Sequence, residues 1–192
     1  MFGGFLLLWI SIWQVNILAL DLSLTSTGYC HNGETGVIST NETGPHRLWL
    51  IRKEIENLVI RFSIDLVAIE GYAFSSRNSQ SHSIGELGGV VRLLLWELGK
   101  PVVTIPPTCR AKFATGKGNA SKNEVISSIS AKTGLIWQNP GADDKCDAWV
   151  MEEMVLCRLG NPRFSWPATH MTALEKVDWT YLNSYIEKLG AS

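Results

Sequence analysis

The stretch Val15–Gly28 reads VNILALDLSLTSTG and decides the fold more than any other part of the sequence. Its first six residues predict a buried strand, and Asp21 stands where that strand ends. The pattern recurs at residues 64–69, which read IDLVAI and lead directly into Glu70. A carboxylate at the tip of a buried strand is costly unless a cation or a donor pairs with it. Both strands therefore point to a site that holds positive charge.

A third acidic group opens a predicted helix near the C-terminus and contains Asp143, Asp144 and Asp147. Side chains three or four residues apart lie about 5–6 Å apart on one helix face. Either Asp143 or Asp144 could therefore act together with Asp147, and the spacing leaves that choice open. Together with Asp21 and Glu70 they would form a set of hard oxygen donors that suits Mg²⁺ or Mn²⁺. Two such ions about 4 Å apart can hold a phosphodiester, activate a water and stabilise the leaving oxygen.

Composition narrows the classes of function. The chain has 192 residues, 45% apolar and 18% charged, which is an ordinary globular composition with room for one sizeable core. A net charge of −1 gives no global attraction to a polyanion, but residues 100–132 form a basic band and residues 141–154 an acidic cluster. A basic band beside an acidic cluster fits a protein that holds phosphates with one region and metal with the other; two solvated surfaces of opposite sign are the alternative. The four cysteines lack metal-site spacing, which favours reduced thiols in a cytosol.

The order of predicted elements is mixed α/β. Three strands come first, at residues 15–20, 27–30 and 36–39, and Asn32-Gly33 is a strong hairpin signal between the last two. Helices and further strands then alternate, with predicted helices at 48–62, 83–98, 109–114, 122–132 and 144–159 and strands at 64–69 and 102–105. In open α/β sheets ligands bind at the carboxyl ends of the strands, where Asp21 and Glu70 stand.

Residues 113–122 read FATGKGNASK and predict a phosphate-binding surface. Glycines expose backbone N–H groups, Lys117 and Lys122 add charge, and a helix begins directly afterwards. The spacing GxxxxGK[ST] is absent, so ATP binding is not indicated. A flexible solvated loop is the alternative reading. After Glu70, an exposed Tyr72 or Phe74 could stack on an unpaired base, although both could equally be core residues.

The first fourteen residues contain no charge and precede the predicted first strand. They lack the positive region of a signal peptide, and Gln14 and Asn16 interrupt a possible membrane span. We interpret residues 1–14 as a hydrophobic extension, with a membrane or targeting role as the alternative.

Four patches of the sequence, in this order, resemble the RuvC family of Holliday-junction resolvases, particularly its phage-encoded members. They read ILALD with a following Thr-Gly (residues 17–21 and 27–28), VAIE (67–70), ATGKGNASK (114–122) and DKCDA (144–148). The resemblance covers about residues 15–159. It departs from the bacterial pattern after Asp21, where Leu22-Ser23 replaces Pro-Gly, and at Ala73, where the family usually has the aromatic residue that pries at the junction.

The resemblance implies a fold, an activity and a set of roles. The fold would be RNase H-like (ribonuclease H-like) α/β: a mixed five-stranded sheet whose first three strands are antiparallel, flanked by helices. The activity would be that of a homodimeric crossover junction endodeoxyribonuclease making paired nicks near a four-way junction. The implied metal ligands and catalytic residues are Asp21, Glu70, Asp144 and Asp147, with two Mg²⁺ or Mn²⁺ ions. The implied DNA contacts are Lys112, Lys117, Lys122, Tyr72, Phe74 and Arg77.

On this basis we predict a nuclease domain at residues 15–160, a C-terminal tail at 161–192, and a cytoplasmic protein (host cytoplasm for a phage-encoded one) with no membrane partner. The substrate would be a four-way junction or other branched DNA. One alternative is a non-catalytic branched-DNA-binding module of the same fold. Another is an actin-like ATP-binding protein, because Asp21–Gly28 also resembles that superfamily's first phosphate loop. The chain is too short for the duplicated domain which that alternative needs.

Overall fold

The computed structural model describes residues 15–71 and 79–191, and its centre is one five-stranded sheet with the strand order β3-β2-β1-β4-β5. The strands are β1 (Ile17–Asp21), β2 (Thr27–His31), β3 (Glu34–Ile38), β4 (Leu66–Glu70) and β5 (Val102–Ile105). β1, β2 and β3 form an antiparallel meander, whereas β4 pairs in parallel with both β1 and β5. The predicted mixed sheet with three antiparallel strands first is confirmed.

The hairpin between β2 and β3 forms where the sequence predicts it. Asn32 has φ 53° and Gly33 has φ 81°, the left-handed pair that a two-residue hairpin turn requires. The tightness of this turn lets pairing continue to His31 and Glu34. β3 therefore begins two residues earlier than predicted.

Helices cover both faces of the sheet. They are α1 (Gly44–Arg61), α2 (Ser79–Glu97), α3 (Pro107–Thr115), α4 (Lys122–Thr133), α5 (Ala142–Arg158), α6 (Ala168–Met171) and α7 (Thr180–Ala191), with a 3₁₀ turn at Leu174–Lys176. α2 begins four residues before its predicted start. At α4 the predicted capping box is present, since Ser121 Oγ accepts from the Glu124 amide and the Glu124 carboxylate accepts from the Ser121 amide.

Successive side chains of each strand point to opposite faces of the sheet, and a separate hydrophobic core lies on each face. Leu18 and Leu20 of β1 pack with α1 and α2, whereas Ile17 and Ala19 pack with α3, α4 and α5. Because successive side chains point to opposite faces, Asp21 continues the row of Ile17 and Ala19. The same argument on β4 places Glu70 in the row of Leu66 and Ala68, which belongs to the same core. Both carboxylates are therefore directed to the face that α5 covers.

α5 is the central helix of that second core. Twelve of its 17 residues are buried, and Trp149 is among the largest side chains that are fully buried. The C-terminal tail closes the same core, because Leu174, Trp179 and Leu182 pack against it. An amphipathic surface helix would bury about one face only, whereas α5 is buried on most of its surface and forms the centre of this core.

Two neighbouring glutamates of α5 are buried and tie distant segments to the helix. Glu152, 2% exposed, accepts hydrogen bonds from the backbone amides of Asn32 and Gly33 in the β2–β3 turn. Glu153, 0% exposed, accepts from the amides of residues 163 and 164 and from Trp166 Nε1. Arg163 supplies the cation for both carboxylates. Buried charges need such partners, so this cluster holds the hairpin and the tail in place.

Within residues 15–71 and 79–191, no helix combines the length and the apolar character that crossing a bilayer would require.

Candidate active site

Asp21 and Glu70 end two adjacent parallel strands, and their carboxyl groups meet. Asp21 is only 8% exposed. Burial raises the pKa of Asp21 well above its ordinary value of 3.8, and the neighbouring charge of Glu70 and a hydrogen bond to its carboxylate raise it further. Two carboxyl groups in such contact favour a shared proton or a bound cation. The predicted convergence of the two strand-end acids is thus present in the structure.

Asp144 and Asp147 approach this pair from the N-terminal part of α5. They are 8% and 2% exposed, so both are buried acids on a helix that packs against the sheet. The charge of Asp144 also raises the pKa of Asp21, which places the two groups within electrostatic reach of each other. One oxygen of Asp147, Oδ2, is buried and has no hydrogen-bond partner. A buried carboxylate oxygen without a donor is a strong candidate to bind a cation.

Gly28 allows α5 to come this close to the sheet. It lies in β2 opposite Asp21. A Cβ built on Gly28 would stand 2.2 Å from the backbone oxygen of Asp144 and 2.8 Å from its Cβ. Contacts this short with backbone cannot be accommodated without moving the start of the helix. The Thr-Gly of the sequence motif therefore has a packing role.

We expect Gly28→Ala to weaken both folding and activity. The added methyl group would push the first turn of α5 outwards and carry Asp144 away from Asp21. Overpacking of this kind costs about 1–3 kcal/mol, and a misplacement of about 1 Å can cost about 100-fold in rate. Gly89→Ala in α2, where a built Cβ meets nothing within 4 Å and φ is not positive, is the steric control. Thermal unfolding and a junction-cutting assay measure both effects; a fully active Gly28→Ala would contradict this packing role.

Arg110 lies between the acids, and the sequence analysis missed its role. Its Nε donates to Glu70 Oε1 at 2.6 Å, and its Nη1 contacts Asp147 Oδ1. The residue is only 8% exposed, which its place in the basic band at residues 100–132 does not indicate. Its guanidinium also lowers the pKa of Asp21, against the larger raising effects of burial and Glu70. No local pattern signals this contact, because Arg110 and Glu70 are 40 residues apart.

Lys122 lies at the outer edge of the same cluster. Its Nζ is 2.6 Å from Asp143 Oδ2 and 4.0 Å from Asp144 Oδ1. The hydrogen bond from Lys122 lowers the pKa of Asp143. Burial by itself would lower the pKa of Lys122, but the bond to Asp143 and the surrounding acids raise it overall. Asp143 is thus engaged at the surface, whereas Asp144 is directed inwards.

These residues fit a divalent cation in their chemistry. Carboxylate oxygens are the donors that Mg²⁺ and Mn²⁺ prefer, and the free Oδ2 of Asp147 and the raised pKa of Asp21 both favour added positive charge. Across residues 15–71 and 79–191, no three acidic, histidine or cysteine side chains already stand in a metal-binding arrangement. The side chain of Arg110 holds two of the four acids in ion pairs.

The predicted DNA-contacting residues are distributed as follows. Lys112 lies in the last turn of α3, and Lys117 is exposed in the loop before α4. The Lys117 amide donates to Thr115 Oγ1 at 3.1 Å, which shapes the glycine-containing loop. Tyr72, Phe74 and Arg77 lie outside the described residues.

The sequence of this chain matches a known protein family. The family model described as crossover junction endodeoxyribonuclease RuvC matches residues 17–152, from the start of β1 to the middle of α5. The chain belongs to the RuvC family. This membership confirms the predicted family and the enzyme class, an endodeoxyribonuclease. It also decides against the actin-like alternative.

Curated relatives agree with the RuvC assignment. The crossover junction endodeoxyribonuclease RuvC of Synechococcus sp. (strain WH7803) is 29% identical over 145 residues, which cover 70% of this chain and 93% of that protein. The corresponding protein of Prochlorococcus marinus (strain MIT 9303) is 30% identical over 146 residues, with the same coverage of 70% and 93%. These alignments span nearly the whole length of the relatives.

A solved RuvC structure shares the fold. Thermus thermophilus RuvC, in complex with its Holliday junction substrate, superposes with a TM-score of 0.61 at 21% identity, covering 77% of this chain and 98% of that one. The predicted RNase H-like α/β fold is therefore confirmed for this RuvC-family chain.

Proposed function

We propose that this RuvC-family chain is a metal-dependent, structure-selective nuclease that cuts branched DNA, with the four-way junction as its principal substrate. The observation that carries the proposal is the cluster of acids from β1, β4 and α5 around Arg110. Asp21 and Glu70 contact each other, the charge of Asp144 acts on Asp21, and Arg110 joins Glu70 to Asp147. Relatives named crossover junction endodeoxyribonucleases support the choice of substrate.

The proposed metal ligands and catalytic residues are Asp21, Glu70, Asp144 and Asp147, and the proposed ions are two Mg²⁺ or Mn²⁺. Asp144 is preferred to Asp143 because Asp143 is tied to Lys122 at the surface whereas Asp144 is buried beside Gly28. When bound, such ions would activate the attacking water and stabilise the departing 3′-oxygen. The side chains of the protein hold the ligand oxygens in a buried, low-dielectric setting, where electrostatic interactions are stronger than in water.

The proposed DNA contacts begin at the edge of this cluster. Lys122, beside Asp143, and the exposed Lys117 can both reach a phosphate close to the acids, and Lys112 extends the basic surface. The N-terminus of α4 adds partial positive charge next to them. Tyr72, Phe74 and Arg77 are proposed to contact unpaired bases or backbone at the junction centre.

We expect Lys117→Met to weaken junction binding without changing which sequence is cut. A lysine that neutralises one phosphate releases counterion, so its loss should reduce the salt slope of log K by about 1. Binding titrations at several salt concentrations measure this slope. Lys53→Met on α1, where the lysine pairs with Glu56, is the matched control. An unchanged slope for Lys117→Met would remove Lys117 from the DNA contacts.

Three further features belong to the same proposal. We propose a homodimer, because paired nicks in two strands need two active sites. We propose residues 15–160 as the nuclease domain and residues 161–192 as a tail, and Leu174 and Trp179 of this tail pack on the core of that domain. A cytoplasmic location accords with the four free cysteines.

The test of the proposed function is a nicking assay on synthetic DNA. A four-way junction, a fork and a linear duplex of the same sequences are incubated with the protein in Mg²⁺ and in EDTA. The proposal expects paired nicks near the branch point of the junction, in Mg²⁺ only, and little cutting of the duplex. Junction binding without any nick in Mg²⁺ or Mn²⁺ would instead indicate the non-catalytic module. Equal cutting of all three DNAs would contradict structure selectivity.

A further inference from the structure

The guanidinium of Arg110 lies between two of the proposed metal ligands, Glu70 and Asp147. Its Nε is 2.6 Å from Glu70 Oε1, and its Nη1 contacts Asp147 Oδ1. These two oxygens belong to acids on different elements, β4 and α5, so one guanidinium joins the sheet to the helix. The Arg110 side chain is 10% exposed and those of Glu70 and Asp147 are 18% and 2% exposed, so water screens these pairs weakly.

The charges of the site show why such a cation is needed. Four carboxylates in a buried cluster repel one another strongly, and without a cation some would have to take up protons. Arg110 supplies one positive charge inside the cluster, and Lys122 supplies a second at its edge. Both cations offset the repulsion among the acids, but the ion pairs of Arg110 also use oxygens that a metal ion would bind.

We propose that Arg110 is a positioning residue whose guanidinium competes with the divalent ion for Glu70 and Asp147. The inference rests on the proposed metal site and adds a residue to it. Arg110 holds the two acids at the right place when no ion is bound. On metal binding its guanidinium gives up at least one of the two carboxylates, and Asp147 Oδ2, which has no hydrogen-bond partner, already offers one ligand atom. Arg110 thereby sets the divalent-cation concentration at which the site becomes occupied.

The test compares Mn²⁺ affinity and thermal stability in Arg110 variants, with Mn²⁺ titrated by electron paramagnetic resonance and without DNA. Arg110→Met removes the competitor, so the proposal expects Mn²⁺ to bind at least about tenfold more tightly than in the wild type. Its Tm should be lower than that of the wild type in EDTA, and the difference should shrink in saturating Mn²⁺. Arg110→Lys keeps the charge without the two-pronged contact and should give an intermediate affinity. Arg92→Met, which removes a guanidinium bonded to Thr104 Oγ1, should leave Mn²⁺ affinity unchanged.

The outcomes separate this inference from the function on which it rests. Unchanged or weaker Mn²⁺ binding in Arg110→Met, with the same loss of Tm in EDTA and in Mn²⁺, would overturn the inference and leave Arg110 a structural residue. Wild-type protein that binds Mn²⁺ and cuts junctions would meanwhile keep the proposed function intact. Absence of Mn²⁺ binding in every variant would overturn both. If Arg110→Met does not fold in EDTA, Arg110→Lys still decides the sign of the change in affinity.

Discussion

Asp147→Asn is expected to abolish junction cutting while junction binding is retained. The substitution keeps the shape of the buried side chain but removes its negative charge and replaces one carboxylate oxygen by an NH₂ group. The side chain then has a single oxygen to offer a metal ion, whereas Asp147 has Oδ2 without a hydrogen-bond partner. Loss of a ligand to a metal ion that stabilises charge in the transition state raises the activation free energy by several kcal/mol. An increase of about 4 kcal/mol lowers the rate roughly a thousandfold. Affinity for DNA comes mainly from phosphate contacts elsewhere, so the dissociation constant should change little. Single-turnover nicking and a binding titration on the same junction measure the two quantities.

The control for this experiment is Asp178→Asn. Asp178 is an exposed acid in the tail that accepts from the Thr180 amide and hydroxyl, and asparagine caps a helix about as well as aspartate. This variant should cut like the wild type. Asp21→Asn should reproduce the defect of Asp147→Asn, because the two acids belong to one proposed site. Cutting that survives both substitutions would show that these acids are not the catalytic set.

Arg163→Met is expected to be strongly destabilising, although Arg163 lies outside the proposed active site. It would leave Glu152 and Glu153, 2% and 0% exposed, without their common cation. Removing one partner of a buried ion pair costs about 3–5 kcal/mol. At about 2–4 °C per kcal/mol for a chain of this size, Tm should fall by roughly 6–20 °C. Differential scanning calorimetry measures the change.

The pH dependence gives this prediction a second readout. Burial already raises the pKa of Glu153 above its ordinary value of 4.5, and loss of Arg163 should raise it further. A raised folded-state pKa costs stability above that pKa, and the cost disappears as pH falls below the unfolded value. The Tm gap between Arg163→Met and the wild type should therefore narrow as pH falls towards 4.5. Arg158→Met, at the exposed end of α5, is the matched control; an equal loss of Tm in both variants would contradict the role of the cluster.

Local patterns predicted most of the elements that position the site. The Asn32-Gly33 signal fixes the hairpin because its turn requires two residues with positive φ. Strand alternation and parallel pairing then bring Asp21 and Glu70 to one edge of the sheet, and both follow from short-range rules. Helix periodicity identified α5 but not that it would be buried on nearly every side.

Long-range pairing is what the sequence could not reveal. The sequence places Arg110 in the basic band at residues 100–132 and Glu152 and Glu153 in the acidic cluster at 141–154, but no pattern indicates that any of the three is buried. Each is in fact buried and paired with a residue that no nearby pattern marks. Glu152, for example, bonds the hairpin amide of Asn32 across 120 residues. The position of the tail over α5 depends on the same buried cluster and was equally out of reach.

The central claim is that the acids of β1, β4 and α5 form one divalent-metal site. A crystal of the wild-type protein soaked in Mn²⁺ tests it most directly through anomalous scattering. We predict peaks within about 2.5 Å of carboxylate oxygens of Asp21 and Asp147, with Arg110 moved away from at least one of its two acids. Peaks confined to other parts of the molecule, at saturating Mn²⁺ and with the ion pairs of Arg110 unchanged, would contradict the account.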